Sequence, residues 1–323
     1  MSDKPFLTYE QQIELLKGKN LIIPNDERAI NLLKEHSYFA LVCGYKNIFK
    51  SKNGSDYAIY TTFDDILRLY YFDNDLRKIF FEYILKVEIK VKSLLSYYFT
   101  EKFGDLQQGY LNVLNYDYDP RNNKKTRGIN KLTHLLDNLC NQSTDYLYIT
   151  FQRDRHKNVP LWVIMKALSF GSVSKMYSFL KSEVKTKISK EFPRVAEKDL
   201  GSFIDLLSTF RNVCAHNERL YDFKCHKRSI PDTEIHGALS ITKRNSLYLA
   251  GKNDLFSAVI VLKYLLSNDD FGIFYSMLSE CIYDHLPLLK NSYKNKILKA
   301  LGFPNKWEDI IRLNIDRSGV SVG

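Results

Sequence analysis

The chain has 323 residues, of which 45% are hydrophobic and 26% charged, with a net charge of +10. That balance excludes a disordered polyelectrolyte, and the length allows one large domain or two smaller ones. The 14 Gly and 8 Pro are few for this length and the 22 Tyr and 20 Phe are many, which favours long helices on an aromatic core over a many-turned β fold.

Residues 8–18 have the pattern of a short helix, with Thr8 as its cap, Gln11 at the capping-box position and Gly18 at its end. Pro24-Asn25-Asp26 is a break, followed by a helix over 26–39 with Ala29, Leu32, Leu33, His36 and Phe39 or Ala40 at helical spacing. Residues 50–62 are polar, with an Asn53-Gly54 turn signal and strand character from Tyr57 to Thr62. From Phe63 to Phe103 the stripe Phe80, Tyr83, Val87, Val91, Leu94, Tyr98, broadened by Ile79, Ile84 and Leu95, predicts one long helix or two broken near Asp73-Asn74. Arg77, Lys78, Lys86, Lys90 and Lys92 lie mostly off that stripe.

Residues 104–131 read as loop, with Asp117-Tyr118-Asp119-Pro120 and the basic stretch Arg121, Lys124, Lys125, Arg127, Lys131. Two readings of that stretch stand: a solvated surface loop, or an arm that contacts the phosphates of RNA. Helices follow at 129–140, 160–168, 172–181 and 183–191, with Pro160 at a first helical position and Gly171 as a break. Residues 197–221 form a strong helix whose apolar face is Phe203, Leu206, Leu207, Phe210 and Val213 or Cys214. Residues 223–253 are irregular, and helices at about 254–267, 269–284 and 290–301 close the chain. The expected fold is all-α with small irregular or β-hairpin insertions. Trp162 and Trp307 read as core residues.

The most apolar run, Leu255 to Leu266, is interrupted by Lys263 and is too short to span a bilayer, so no membrane association is expected. The five cysteines form no Cys-x-x-Cys and the first residues are polar, so a reducing compartment, the cytoplasm, and no signal peptide are expected. The basic excess suits a polyanionic partner such as nucleic acid.

The residues that could carry chemistry lie in Arg211-Asn212-Val213-Cys214-Ala215-His216. On a helix Asn212 and His216 stand one above the other, Arg219 continues that line three residues on, and Arg211 leans toward it. Histidine titrates near neutrality and serves as base or acid, while arginine pairs with phosphate oxygens through parallel hydrogen bonds. This set suits RNA cleavage without a metal, since RNA supplies its own 2′-hydroxyl nucleophile. One histidine is too few for separate acid and base, and a site shared across a two-fold homodimer supplies two. On pattern alone, a catalytic and a structural His216 remain equally open, because Arg127 to His134 and Arg219 to His226 match the same bare spacing. Cys214, His216, Cys225, His226 and His236 lack zinc-ligand spacing, so no metal and no cofactor is expected. Cys214 is expected to face the packing side of its helix.

The run from Arg211 to Tyr221 resembles the signature of the Abi-like (AbiD/AbiF) abortive-infection proteins. Two further segments agree: Leu33 to Tyr45, reading Leu-x4-Tyr-Phe-x-Leu-x3-Tyr, and Leu69 to Lys92, with Leu-Tyr-Tyr-Phe-Asp-Asn-Asp-Leu-Arg and then Val87-Glu88-Ile89. The resemblance covers roughly residues 5–270 and implies a HEPN-like helical bundle, a superfamily of metal-independent endoribonucleases. It implies Arg211 and His216 as the catalytic pair, Asn212 as their polar neighbour, and Glu88 as a residue that faces and orients them. Read alone, Glu88 is a surface carboxylate paired with Lys92. The family commonly has a second histidine after the first, where this chain has Asn217. The resemblance also implies phage defence and association with a structured non-coding RNA. The rival reading is a non-catalytic RNA-binding protein of the same fold. The expected organisation is a single domain over 1–323, with an N-terminal subregion at 1–62, a HEPN core at 63–222 and a C-terminal extension at 223–323.

Overall fold

Thr8 and Gln11 close the expected capping box and start α1 (Tyr9–Lys17). The computed structural model describes residues 5–51, 54, 56–142, 144–316 and 319–322. The side chain of Asn25 caps α2 (Asp26–His36), which ends earlier than expected because Ser37 turns to a φ of 60°. Phe39 to Cys43 then form a separate π turn that leaves Phe39 81% exposed rather than on a core face. The expected strand at 57–62 is absent. Lys50 and Tyr57 form an isolated antiparallel bridge and Ile22 and Thr62 a parallel one, while Asn53 lies outside the described residues.

A second capping box, Thr62 with Asp65, starts α3 (Phe63–Phe103). It is one unbroken helix of 41 residues, about 60 Å long at 1.5 Å per residue. Asp73 does not break it, because its carboxylate is engaged outside the helix.

After α4 (Gln107–Leu111) comes α5 (Asn123–Asn141), capped by the side chain of Asn122. The basic stretch is therefore helical from Asn123 onward, not loop: Lys124, Lys125, Arg127 and Lys131 lie on α5, and Arg121 lies just before it. The buried apolar positions of α5 begin only at Ile129, so its first turns carry no hydrophobic periodicity to read. Next come α6 (Leu147–His156), which the pattern did not reveal because only Ile149 is buried, and the short α7 (Leu161–Ile164). Pro160 caps α7 rather than entering it, and Trp162 is 49% exposed, not core. In α8 (Phe170–Phe179), Gly171 sits in the first turn rather than marking a break, since Ser169 caps the helix.

The chain continues through α9 (Ser182–Lys190), α10 (Glu197–Ala215) and α11 (Glu234–Ala238). A two-residue hairpin follows, β1 (Lys243–Arg244) with β2 (Leu247–Tyr248), paired Lys243 to Tyr248 and Arg244 to Leu247. The helices α12 (Leu255–Leu265), α13 (Asn268–His285) and α14 (Asn291–Leu301) lie close to their expected bounds. A second antiparallel hairpin, β3 (Leu313–Asp316) with β4 (Gly319–Val322), was not foreseen.

The fold is mainly α. α3 packs along both α13 and α10, and α10 also packs on α8. The buried side chains form one cluster that runs from Ile13 to Leu313. Every residue of α12 is buried, including Lys263. Its ammonium donates to the Ile311 carbonyl at 3.4 Å and lies 4.6 Å from the Phe271 ring, and burial pushes its pKa down to about 8. The apolar run read from the sequence is thus a core helix. Among the described residues no helix is long and apolar enough to cross a membrane.

Candidate functional site

Five residues of α3 at helical spacing carry the contacts to the motif: Phe81 and Glu88 meet Arg211 on α10, Asp73 and Arg77 meet the segment after α10, and Lys92 backs Glu88. They hold the motif from below and from its downstream side.

α10 ends within the motif. Ala215 is its last residue, and the amide of His216 still donates to the Asn212 carbonyl at 3.0 Å, so the two remain one turn apart. The next two amides turn back: Asn217 donates to Cys214 O at 3.3 Å and Glu218 to Val213 O at 3.0 Å. This is the Schellman arrangement, in which the residue after the cap takes a left-handed conformation. Asn217 occupies it, with a φ of 54°. Asparagine and histidine are both over-represented in that region among non-glycine residues, which gives a backbone reason for either type at this position.

The helix end corrects one expectation. Arg219 does not continue the line of Asn212 and His216, because the chain has left the helix. Its guanidinium donates to Asp222 Oδ1 and to the Gly44 carbonyl, each at 2.6 Å, and it ties the segment after the motif to the turn that follows α2.

His216 and Asn212 are exposed, and among the described residues neither side chain has a hydrogen-bond partner. Arg211 is different. Its Nε donates to Glu88 Oε2 at 3.3 Å, and its guanidinium lies 5.5 Å from the centre of the Phe81 ring. Glu88 is buried at 4% exposure, and its other oxygen meets Lys92 Nζ at 2.7 Å. Glu88 thus pairs with Lys92 and also faces Arg211, but it is buried and not the surface carboxylate that its sequence neighbourhood alone suggested. Buried between two cations, its carboxylate fixes the root of the arginine, whose side chain stays 26% exposed.

A second anchor lies at Asp73, which is fully buried. Its carboxylate accepts from Tyr45 Oη at 2.7 Å, from the Leu220 amide at 3.1 Å, from the Tyr221 amide at 2.6 Å and from the Arg77 guanidinium. Arg77, one turn on and buried at 4% exposure, also reaches the Glu218 carbonyl at 3.3 Å. Burial pushes the Asp73 pKa up, while Arg77, Tyr45 and the two amides pull against that. Burial is the largest influence and works against the Arg77 charge, but the Asp73 carboxylate together with Tyr45 and Tyr70 outweighs it and holds the arginine above its ordinary value. This cluster was not read from the sequence, where Arg77 was grouped with the cations lying mostly off the apolar stripe. The one available signal was the i, i+4 spacing of Asp73 and Arg77 within an otherwise apolar face.

The remaining candidates separate from this site. Arg121 pairs with Asp119 and Lys125 with Asp117, while Lys124, Arg127 and Lys131 are exposed on α5. Cys214 is turned toward the core and burial pushes its thiol up to about 12, and the buried Cys225 behaves the same way. His236 is fully buried, with Nε2 on the Gly251 carbonyl at 2.9 Å. Among the described residues, no three His, Cys, Asp or Glu side chains gather as a metal would need.

The whole is a mainly helical protein whose Arg-Asn-x3-His segment, with Asn212 and His216 exposed, is braced by charges buried on its longest helix. A family model described as Abi-like protein matches residues 31–222, more than half of the chain, and the chain belongs to that family. That membership points to abortive infection, a form of phage defence, as its setting. No curated protein and no solved structure matches the chain.

Proposed function

We propose that the chain is a metal-independent endoribonuclease of the HEPN type, acting in phage defence in the bacterial cytoplasm in association with a structured non-coding RNA. The observation that carries this reading is the state of the motif side chains: His216 and Asn212 are exposed and unengaged, beside an arginine whose root is pinned by Glu88. The imidazole moves a proton to or from the 2′-hydroxyl or the 5′-oxygen. Arg211 neutralises the charge that grows on the phosphate, and Asn212 orients the phosphate or the imidazole. The products are a 2′,3′-cyclic phosphate and a 5′-hydroxyl. A second copy of the chain, related by a two-fold axis, supplies the second histidine. Residues 63–222 form the nuclease core in this reading, with 1–62 and 223–323 as flanking parts.

A second reading, a protein of this fold that holds RNA without cutting it, is favoured by the exposed cations on α5, which do not belong to the motif. The two separate in one assay. The purified protein and a His216→Ala variant are incubated with mixed cellular and phage RNA in EDTA, and fragment ends are read. The expected result is cleavage with 2′,3′-cyclic phosphate ends that the variant loses. RNA retained but uncut by both proteins would support the holding role. RNA neither retained nor cut would remove it as the partner.

A further inference from the structure

Three lysines with no acidic partner among the described residues surround one cavity between α5 and α8. Lys124 and Lys131 come from α5 and Lys175 from α8, and all three are exposed. Lys125 also lines the cavity, but Asp117 already matches its charge. The cavity measures about 630 Å³, and Leu132, Leu135 and Phe179 give it an apolar floor. Gly128 makes that floor possible, because a Cβ there would meet the Phe179 ring at 2.5 Å. The ring therefore lies directly on the α5 backbone.

A volume of this size holds a small organic ligand, and the lining states its chemistry. A flat apolar wall with an aromatic ring accepts a planar base, which can stack on it whatever its identity. Unneutralised ammonium groups at the rim accept phosphate. An acidic peptide would use the lysines but not the floor. Lys131 also lines a shallow groove across α5, shared with Asn130, Arg127 and His134, so a strand leaving the cavity has a basic path to follow. None of the motif residues lines either surface.

We propose that the cavity between α5 and α8 seats one unpaired nucleotide of an RNA strand, its base against Phe179 and Leu132 and its phosphate among Lys124, Lys131 and Lys175. This deepens the RNA-directed function and rests on it for the source of the nucleotide. It makes the α5 face the place where the strand is gripped, separate from the place where it is cut.

The test uses a short single-stranded 2′-O-methyl oligonucleotide that carries 4-thiouridine. It has no 2′-hydroxyl nucleophile, so nuclease activity does not enter the result. Affinity is measured over a salt series, the photo-cross-link is mapped, and uridine and adenosine monophosphates are titrated in parallel. The expected cross-link falls on α5 or α8. A Lys131→Gln/Lys175→Gln double variant, both positions exposed and outside the core, weakens binding roughly tenfold. It also makes the salt dependence shallower by about 1.4 in log–log slope, near 0.7 for each lost phosphate contact. Oligonucleotide binding unchanged in the double variant, or cross-linked only elsewhere, overturns the cavity assignment and leaves the RNA reading standing. Monophosphate binding that depends on the lysines, without oligonucleotide binding, keeps the nucleotide site and overturns the RNA strand as its source. Binding of neither overturns both.

Discussion

Replacing Asp73 with alanine should cost about 3–5 kcal/mol of folding stability, a large share of what a domain has. One carboxylate satisfies the Tyr45 hydroxyl, the amides of Leu220 and Tyr221 and the Arg77 guanidinium, all in a fully buried place. Removing it strands each of these donors, and an uncompensated buried guanidinium is the most expensive of them. Asp73→Asn should recover little of this, still costing about 3 kcal/mol or more, because the neutral amide leaves the Arg77 charge uncompensated and its NH₂ faces other donors although its oxygen keeps one acceptor. Urea denaturation followed by circular dichroism measures both. An Asp73→Ala protein within about 1 kcal/mol of the parent would show that the segment after the motif is held by packing alone.

The second large effect concerns Arg211. In the proposed nuclease, Arg211→Ala should lower the rate of RNA cleavage by about 10²–10³-fold, the usual scale for removing a preorganised charge from a developing oxyanion. Stability should move by about 1 kcal/mol or less, because the arginine is partly exposed and Glu88 keeps Lys92. Arg211→Lys should not restore the rate, since an ammonium lacks the planar fork that spans two phosphate oxygens. Glu88→Gln acts one step removed and should cost about tenfold in rate, as a loss of positioning. Single-turnover cleavage of a labelled RNA, beside a thermal melt of each variant, separates these roles. A rate for Arg211→Ala within a few fold of the parent would exclude it from the chemistry.

Much of the framework was legible because it rests on local signals. Thr8 with Gln11 is a local pair and both residues take the expected hydrogen bonds. The apolar stripe of α3 carries through Asp73-Asn74 without interruption. What was not legible depends on residues far apart in sequence. Asp73 and Tyr221 are 148 positions apart, and nothing in the spacing of either reveals that one caps the other. Arg219 looked in phase with His216 only while the helix was assumed to continue. The turn at Asn217, set by backbone conformation and not by hydrophobicity, ended that phase. The start of α5 was hidden for the opposite reason: its first turns lie on the surface and offer no buried residue to count. Arg211, Asn212 and His216 were singled out as candidates by their types and order together with the family resemblance, and the structure adds the contacts of Arg211 beneath them.

The length of chain between the two anchors on α3 is itself constrained. Arg77 and Glu88 are eleven residues apart, close to three full turns, so both face the stretch that runs from Arg211 to Glu218. A substitution anywhere between them leaves that phase intact. Loss or gain of a single residue rotates everything beyond it by about 100°, and the carboxylate that meets Arg211 and the guanidinium that meets the Glu218 carbonyl could no longer face the motif together. Across variants of this chain, the interval between the two anchors should therefore vary at its exposed positions, Lys78, Glu82 and Lys86, keep its buried apolar ones, and not change at all in length.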